Sequence, residues 1–294
     1  MVSIIIVNFN TFSLTCECIS TLIAHTTNIA YEIILVDNGS KEKDPALFKE
    51  KFPFIQLIIS AENLGFAKGN NLGIHQAKGD FILLLNSDII FTENVIHPLV
   101  HFLLSTPKAG IVSPKLLYPD GTMQYVAERF PSIKMELLNL VRGYKMCSRK
   151  KAGQLFLSYH FDHNSSIAAD YVWGAFFLFK KELLQHFPGQ KLNDEFFMYA
   201  EDMLWCYEAR QAGYEAWYMA DAKAIHYHSY SLSKAHVKSS DKKAEYTAIN
   251  KYRFLKSKKG KFYSAIYLVF ELLNRVSRAK FKQALTQFKA YKLA

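Results

Sequence analysis

The first ninety residues alternate between short apolar runs and segments with helical spacing, and this alternation constrains the fold most. The runs are rich in β-branched residues, as expected of strands buried inside a sheet. The four predicted strands are VSIIIVNF (2–9), YEIILVDNGS (31–40), IQLIIS (55–60) and DFILLLNSDII (80–90).

Helical segments separate these strands. Residues 13–24 carry a helical pattern with Ser13 as the expected N-cap, and residues 65–79 read as a loop and helix closed by Gly79. Strands that alternate with helices predict the α/β class, with a mostly parallel central sheet flanked by helices.

Later segments are less regular. Residues 116–125 predict a hairpin around Pro119-Asp120-Gly121, and 129–168 suggest an inserted helix and a mobile segment. Residues 171–184 predict a strand and then a helix. Residues 194–229 predict a turn, a helix that ends near Gly213, and a strand.

Polar residues stand at the ends of three predicted strands, where ligands of open α/β sheets bind. Asp88 interrupts an apolar run, and a buried carboxylate is costly unless something pairs with it. Asp88 is therefore either the cap of a segment that begins near Thr92 or part of a metal or phosphate site. The three polar pairs are Asn8 and Asn10, Asp37 and Asn38, and Asn86 and Asp88.

The bulk composition narrows the class of protein. A chain of 294 residues, half of them hydrophobic, suits one large domain or a domain with an appendage. The first residues show no basic leader, and no apolar run approaches the ~20 residues that span a bilayer. The four cysteines form no CxxC pair, which disfavours zinc and disulfides and predicts a cytoplasmic location.

Positive charge is concentrated in a C-terminal tail. Residues 1–250 hold 24 Lys and Arg against 25 Asp and Glu, whereas residues 251–294 hold 12 against one. A neutral body disfavours a nucleic-acid partner. The basic tail, with FYSAIYLVF in its middle, predicts peripheral attachment to an anionic membrane surface at the inner face of the cytoplasmic membrane. The alternative is a helical hairpin that covers the body or forms a homodimer.

Seven segments in order resemble the inverting family-2 glycosyltransferases, and among them the rhamnosyltransferase-like members that build bacterial surface polysaccharides. The resemblance runs from about residue 2 to residue 233 and implies the GT-A fold, a nucleotide-diphosphate-sugar donor and a divalent cation. The segments are IIIVNFN, ILVDNGS, ENLGFAKGNN, LLLNSD, WGAFFLFKK, FFMYAEDMLWCYEARQAGY and AIHYHSYS.

The resemblance also implies a donor site. Asp37 matches the aspartate that accepts the imide N–H of uracil or thymine, which favours a UDP- or dTDP-sugar. Asn8 and Asn10 would lie near base and ribose, and Asn38 beside them. A loop that resembles the family's NxGfaxgnN segment would approach the nucleotide. Its candidate residues are Asn63, Gly65, Lys68 and Asn71. Plain turn residues stay open as the alternative for Asn8 and Asn10, and a solvated helix lysine as the alternative for Lys68.

Asp88 matches the family's metal-binding aspartate, and the expected cation is Mg²⁺ or Mn²⁺. Asn86 stands where the family usually has a first aspartate, so metal dependence is open at this point; Ser87 lies between the two. His226 occupies the position of a third metal ligand, with His228 two residues later, and position favours His226.

Glu201 and Asp202 match the family's ED motif. Inversion needs a base that removes the acceptor's proton, which would be Asp202, while Glu201 holds the acceptor. Two acids that merely complement a helix dipole are the alternative. Trp173 and Gly174 would lie near donor sugar and acceptor or in the core. The neighbouring aromatic residues suit sugar stacking, although Trp205 could equally be core: Phe196, Phe197, Tyr199 and Trp205.

The predicted organisation is a GT-A domain over 1–235 and a basic, amphipathic helical extension over 236–294. The predicted activity is hexosyl transfer to a lipid-linked or oligosaccharide acceptor. An inert sugar-nucleotide-binding module is disfavoured because it would not need Asp202. A sugar-nucleotide nucleotidyltransferase is disfavoured because NFNTFSLT, after the first strand, contains no glycine.

Overall fold

A computed structural model describes residues 1–227 and 240–294. The chain divides into two compact units, Met1–Ala127 with His163–His236 and Glu128–Asp162 with Val237–Ala294. The predicted domain boundary at residue 235 and the weaker metal candidate His228 lie outside the described residues and stay predictions.

The first unit is built on one large mixed sheet. Its strand order is β3-β2-β1-β4-β10-β6-β11-β5, with β8 paired to β11. Strands β1 to β4 pair in parallel, β6 pairs in parallel with β11, and β10 runs antiparallel between β4 and β6. The strands of this sheet are β1 Val2–Asn8, β2 Tyr31–Asn38, β3 Gln56–Ser60, β4 Phe81–Asn86, β5 Ile89–Phe91, β6 Ala109–Leu117, β8 Ile167–Ala169, β10 Phe176–Lys180 and β11 Glu215–His226. Two short strands, β7 Ala127–Glu128 and β9 Tyr171–Val172, pair with each other in a separate sheet.

Helices connect these strands, as the alternating pattern predicts. The central strands β1 and β4 are buried over nearly their whole length, which explains their unbroken apolar sequence. Residues Lys181–His186, after β10, form a 3₁₀ helix. The helices of the first unit are α1 Phe12–His25, α2 Leu47–Lys51, α3 Phe66–Gln76, α4 Ile96–Ser105 and α7 Glu201–Gln211.

The prediction of one strand over 80–90 is wrong. Strand β4 ends at Asn86, Ser87 and Asp88 form a turn, and β5 then runs antiparallel to β11. The polar residues therefore end one strand and redirect the chain to another part of the same sheet. Periodicity alone could not show this, because apolar residues continue on both sides of the turn.

Two predicted helix ends are also wrong. Helix α1 begins one residue earlier than expected, with Thr11 and not Ser13 at the N-cap position. The Thr11 hydroxyl bonds to Asn8 and Ser87 instead of capping the helix. Helix α3 ends at Gln76 with Ala77 as its C-cap, so Gly79 does not close it.

The predicted hairpin around Pro119-Asp120-Gly121 is present in the first unit. It forms a tight turn after β6, with a bridge between Leu117 and Met123.

The second unit is helical. Within the described residues, no helix is both long enough and apolar enough to cross a bilayer. The helices of the second unit are α5 Ile133–Leu140, α6 Arg149–Phe156, α8 Ser240–Lys259, α9 Lys261–Val276 and α10 Phe281–Leu293.

Candidate active site

The carboxyl edge of the parallel strands brings three predicted site residues into neighbouring positions. Asn8 at the end of β1 lies opposite Asp37 at the end of β2. On the other side of β1, Val7 lies opposite Asn86 at the end of β4. The strand-end polar residues therefore share one rim, where open α/β sheets bind ligands.

Asp37 is buried and held by two donors at this rim. Its Oδ2 accepts a hydrogen bond from Asn8 Nδ2 at 2.7 Å, and its Oδ1 accepts one from the Ser40 backbone N–H at 3.0 Å. Each carboxylate oxygen keeps a further lone pair. Asn10 adds to this corner with a left-handed backbone (φ 55°) and a side chain that accepts from the Lys41 backbone N–H at 2.8 Å.

The loop before α3 is tied to the end of β2. Asn38 Nδ2 donates to Asn63 Oδ1 and to the Gly65 carbonyl, both at 3.1 Å. Gly65 has a left-handed φ of 84°, and an added Cβ would collide with the Phe197 carbonyl. Glycine is therefore required where this loop meets the segment before α7.

Lys68 and Asn71, also predicted to face the nucleotide, lie on α3. Lys68 is exposed. The Asn71 side chain donates to the Leu192 carbonyl at 2.8 Å and accepts from its N–H at 3.1 Å. Asn71 therefore positions the segment around Leu192, and its role toward a nucleotide stays a prediction.

A chain of buried polar groups joins the Asp37 corner to the turn after β4. The Thr11 hydroxyl donates to Asn8 Oδ1 and lies 3.0 Å from the Ser87 hydroxyl, and Thr15 donates to the same Asn8 oxygen at 2.7 Å. Ser87 is thus a member of one hydrogen-bonded network with Asn8 and Asp37. Networks of this kind hold their members in fixed positions.

Asp88 and His226 meet at the next corner of the rim. The Asp88 Oδ1 atom lies 3.3 Å from His226 Nε2, and both side chains are buried. Asn86 Nδ2 lies 3.4 Å from the same ring nitrogen. Strand pairing produces this contact, because Ile89 of β5 lies opposite His226 at the end of β11.

Gln124, a residue that the sequence reasoning missed, orients His226. Its amide Nε2 donates to the His226 carbonyl at 2.7 Å, so its Oε1 faces His226 Nδ1, also at 2.7 Å. Nδ1 therefore donates to Gln124, and Nε2 is the ring nitrogen that faces Asp88. A glutamine three residues after a turn glycine offers no sequence signal for this role.

These residues fit a divalent cation that also binds substrate. His226 Nε2 and the Asp88 carboxylate face each other. A nitrogen and an oxygen ligand of this kind suit Mn²⁺ or Mg²⁺. In residues 1–227 and 240–294, no group of three His, Cys, Asp or Glu is arranged to hold a metal ion. A cation here would therefore complete its shell with water and substrate phosphate oxygens, as Mg²⁺ usually does.

Glu201 and Asp202 begin α7, and the backbone fixes Asp202. Its Oδ2 accepts from the Gly174 N–H at 3.0 Å and its Oδ1 accepts from the Met203 N–H at 2.8 Å. Ala175, next to Gly174, accepts from the Asn86 N–H at 2.9 Å. Two adjacent residues of one segment thus link the turn after β4 to the acids of α7.

Burial dominates the electrostatics of this acid pair. It raises the pKa of Glu201 to about 8, and the neighbouring Asp202 charge adds to the effect. It also raises the pKa of Asp202, although the backbone N–H donors of Gly174 and Met203 oppose this shift. Glu201 Oε2 is buried and has no hydrogen-bond partner among the described residues. Such an oxygen is suited to a polar group of a substrate.

The segment before α7 is strained. Tyr199 and Ala200 both adopt left-handed φ values, of 72° and 70°. Consecutive non-glycine residues in this region are unusual and often occur at functional sites. This geometry sets the position at which Glu201 begins the helix.

The aromatic residues around α7 divide into core and surface. Trp205 is fully buried, stacks on Phe66 and donates its indole N–H to the Asn193 carbonyl at 2.9 Å, so it is a core residue. Phe196 is buried as well, whereas Phe197 is exposed beside Gly65. Trp173 is half-buried. Of Trp205, Phe196 and Phe197, only Phe197 presents an open ring on which a sugar can stack.

Comparisons with known proteins identify the family of this chain. The profile of the family described as "Glycosyl transferase family 2" matches residues 3–187. Over 213 residues the chain is 23% identical to the N-acetylglucosaminyl-diphospho-decaprenol L-rhamnosyltransferase of Mycobacterium tuberculosis, covering 69% of this chain and 68% of that protein. It is 26% identical over 204 residues to glycosyltransferase GlyG of Streptococcus pneumoniae, covering 66% of this chain and 62% of that protein.

A solved structure shares the fold. The mannosyltransferase from Pyrobaculum calidifontis, in complex with GDP-Man and Mn²⁺, superposes with a TM-score of 0.58 at 15% identity, covering 98% of this chain and 73% of that one. The chain has the GT-A fold, and it belongs to glycosyltransferase family 2. The resemblance, the fold class and the enzyme class predicted from the sequence are confirmed. The role of each site residue stays a prediction.

Proposed function

We propose that this glycosyltransferase inverts the anomeric centre of a UDP- or dTDP-sugar, rhamnose-like or hexose, as it transfers the sugar to a hydroxyl of a growing bacterial surface glycan. The observation that carries the proposal is the half-buried Asp202, aimed by two backbone N–H groups and adjacent to the buried Glu201. A carboxylate of raised pKa, fixed beside an unpartnered acid, suits proton removal from a hydroxyl.

The proposed reaction is one in-line displacement. The acceptor oxygen forms a bond to the anomeric carbon while the bond from that carbon to the diphosphate oxygen breaks, and the acceptor's proton passes to Asp202. Glu201, which is protonated at neutral pH, donates to or accepts from a neighbouring acceptor hydroxyl through its buried Oε2. Trp173 and Gly174 lie beside the donor sugar in this arrangement.

The donor lies along the rim of the sheet. Asp37 accepts the imide N–H of uracil or thymine, and Asn8, Asn10, Asn38 and the Gly65 loop surround base and ribose. Asp88 and His226, with Asn86 and Ser87 beside them, would hold Mg²⁺ or Mn²⁺, and the cation would supply positive charge to the departing diphosphate. The Mn²⁺ in the Pyrobaculum calidifontis complex supports this assignment.

The acceptor is a lipid-linked glycan. The name of the Mycobacterium tuberculosis relative specifies a diphospho-decaprenol acceptor, and the basic C-terminal helices of this chain suit the same setting. Such an acceptor places the reaction at the inner face of the cytoplasmic membrane.

A nucleotide panel tests the donor assignment. Thermal shifts are measured with UDP, dTDP and GDP, each with and without Mn²⁺ or Mg²⁺, for the natural chain and for Asp37→Asn. We expect stabilisation by the pyrimidine diphosphates, larger with metal, and a smaller stabilisation in Asp37→Asn, because a neutral amide oxygen binds the imide N–H more weakly than a charged carboxylate does. Stabilisation by GDP alone would overturn the pyrimidine assignment, and a response to none would contradict the donor site.

A further inference from the structure

Helix α9 buries a polar face. The residues that it turns inward include Glu271, which is held by Lys251 at 2.6 Å, Arg275 at 2.7 Å and the Tyr252 hydroxyl at 2.7 Å. Asn274, one turn further on the same face, donates to Glu136 of α5 at 3.0 Å. Tyr267 and Leu268 are buried beside them, so α9 contacts its own unit through ionic, hydrogen-bonded and apolar groups together.

The opposite face of α9 is apolar and exposed. Phe262, Val269, Leu273 and Val276 recur at helical spacing, and Phe262 is 81% exposed. A helix of a water-soluble protein normally turns its apolar stripe inward and its polar face outward. Helix α9 departs from this arrangement, because it buries Glu271 and Asn274 and leaves these four apolar residues exposed.

Helix α10 continues this pattern. Phe281, Leu285 and Phe288 follow the i, i+4, i+7 spacing of one face, and all three are exposed. The buried face of α10 consists instead of Ala284, Gln287 and Ala290. We call the exposed apolar residues of both helices the outer stripe: Phe262, Val269, Leu273, Val276, Phe281, Leu285 and Phe288. An exposed set of this size marks an interaction surface.

The charge around the outer stripe has one sign. Residues 261–293 contain a single acid, Glu271, which is buried and paired with Lys251 and Arg275. The remaining charged side chains of these two helices and their connection are basic: Lys261, Arg278, Lys280, Lys282, Lys289 and Lys292. Apolar residues flanked by Lys and Arg suit the interface of an anionic bilayer. The apolar side chains insert at the interface, and the basic side chains are attracted to the anionic headgroups.

We infer that the outer stripe of α9 and α10 is the surface through which this protein lies on an anionic phospholipid bilayer. The inference deepens the proposed function and rests on it for the lipid-linked acceptor. A second copy of the chain suits the stripe less well, because face-to-face pairing would set six basic residues against the same six.

Vesicle binding of the full chain tests the inference. Flotation is measured with phosphatidylcholine vesicles and with vesicles that contain about one third phosphatidylglycerol, for the natural chain and for Phe281→Ser/Leu285→Ser. The matched control, Phe54→Ser/Leu104→Ser, removes one Phe and one Leu from the first unit. Phe54 is 62% and Leu104 67% exposed, against 64% for Phe281 and 54% for Leu285. Equal melting temperatures would show that both variants fold.

We expect binding to the anionic vesicles only, about tenfold or more weaker in Phe281→Ser/Leu285→Ser and unchanged in the control. Failure of the natural chain to bind, or equal loss in the control, would overturn the inference. A dimer in sedimentation that only the stripe variant dissociates, without vesicle binding, would instead identify the stripe as a self-association surface. Nucleotide stabilisation, measured on the same samples, reports on the proposed function separately.

Discussion

Buried acids occur in both units of the chain, and their surroundings differ. Glu271 of the second unit is enclosed by Lys251 and Arg275, which form ion pairs with it. In the first unit, the buried Glu201 is adjacent to the half-buried Asp202, with backbone N–H donors on Asp202 and none on the buried Oε2 of Glu201 among the described residues. Glu201 and Glu271 are both buried, but only Glu271 has cationic side chains that neutralise its charge.

The pKa directions express this difference. Burial would raise the pKa of Glu271, but the charges of Lys251 and Arg275 outweigh it and lower the pKa. At Glu201 nothing opposes burial and the Asp202 charge with comparable strength, and the pKa rises to about 8. A buried acid with cationic partners stabilises its surroundings, whereas an acid pair without them is kept at a cost and indicates a functional site.

The largest expected effect is on the acid pair. Asp202→Asn keeps the size of the side chain and removes the base, so we expect transfer to fall about a thousandfold. Nucleotide stabilisation and melting temperature should stay unchanged or rise, because a half-buried charge next to Glu201 is removed. Single-turnover transfer and thermal shift with UDP or dTDP measure both. Transfer at the natural rate would refute Asp202 as the base.

Glu271, the acid with cationic partners, should respond in the opposite way, because its replacement should lower the stability of the fold. Glu271→Gln leaves the partly buried Lys251 and Arg275 without their common charged partner, and we expect it to lower the free energy of unfolding by about 3 kcal/mol. Glu201→Gln is the matched control: it removes an acid that has no cationic partner and whose pKa is raised by burial, so stability should rise at neutral pH. Urea unfolding measures both variants. Equal losses would remove the distinction between the two regions.

Asp88 differs from both Glu271 and Glu201, because its buried neighbour is a histidine. Gln124 orients the ring of that histidine. Gln124→Leu removes the acceptor for the Nδ1 proton, and we expect apparent Mn²⁺ affinity to fall between about 10-fold and 100-fold. Gln124→Glu, which can still accept that proton, should lose less. Metal titration of the nucleotide-dependent thermal shift measures both. Unchanged metal dependence in Gln124→Leu would show that His226 acts without this partner.

Much of the first unit followed from the sequence. Unbroken β-branched runs identify strands buried on both faces, and polar residues at their ends identify the rim that carries Asn8, Asp37 and Asn86. The contact between Gln124 and His226 could not be predicted, because it joins residues 102 positions apart through strand pairing. The break after Asn86 was missed because apolar residues resume immediately after Asp88.

The second unit was predictable in composition and not in arrangement. Its charge and helical spacing are legible in the sequence, and the helical C-terminal region is present. Helix α9, however, contains apolar residues on two faces, and periodicity does not show which face packs inward. The inward face is the one with Glu271, because Lys251 from α8 can pair with it there.

The smallest effect is a difference in the pH dependence of stability. The pKa of Glu201 is raised from 4.5 to about 8, so its contribution is fully present below pH 4.5 and is lost as the pH rises toward 8. The pKa of Glu271 is lowered, so its contribution is present above pH 4.5 and is lost as the pH falls below it.

Relative to Glu201→Gln, the natural chain should therefore lose melting temperature between pH 5 and 8. Relative to Glu271→Gln, it should lose its advantage only in acid. Parallel curves for the natural chain and Glu201→Gln over pH 5 to 8 would mean that Glu201 is ionised in the folded protein, and the contrast between the two buried acids would then be absent at neutral pH.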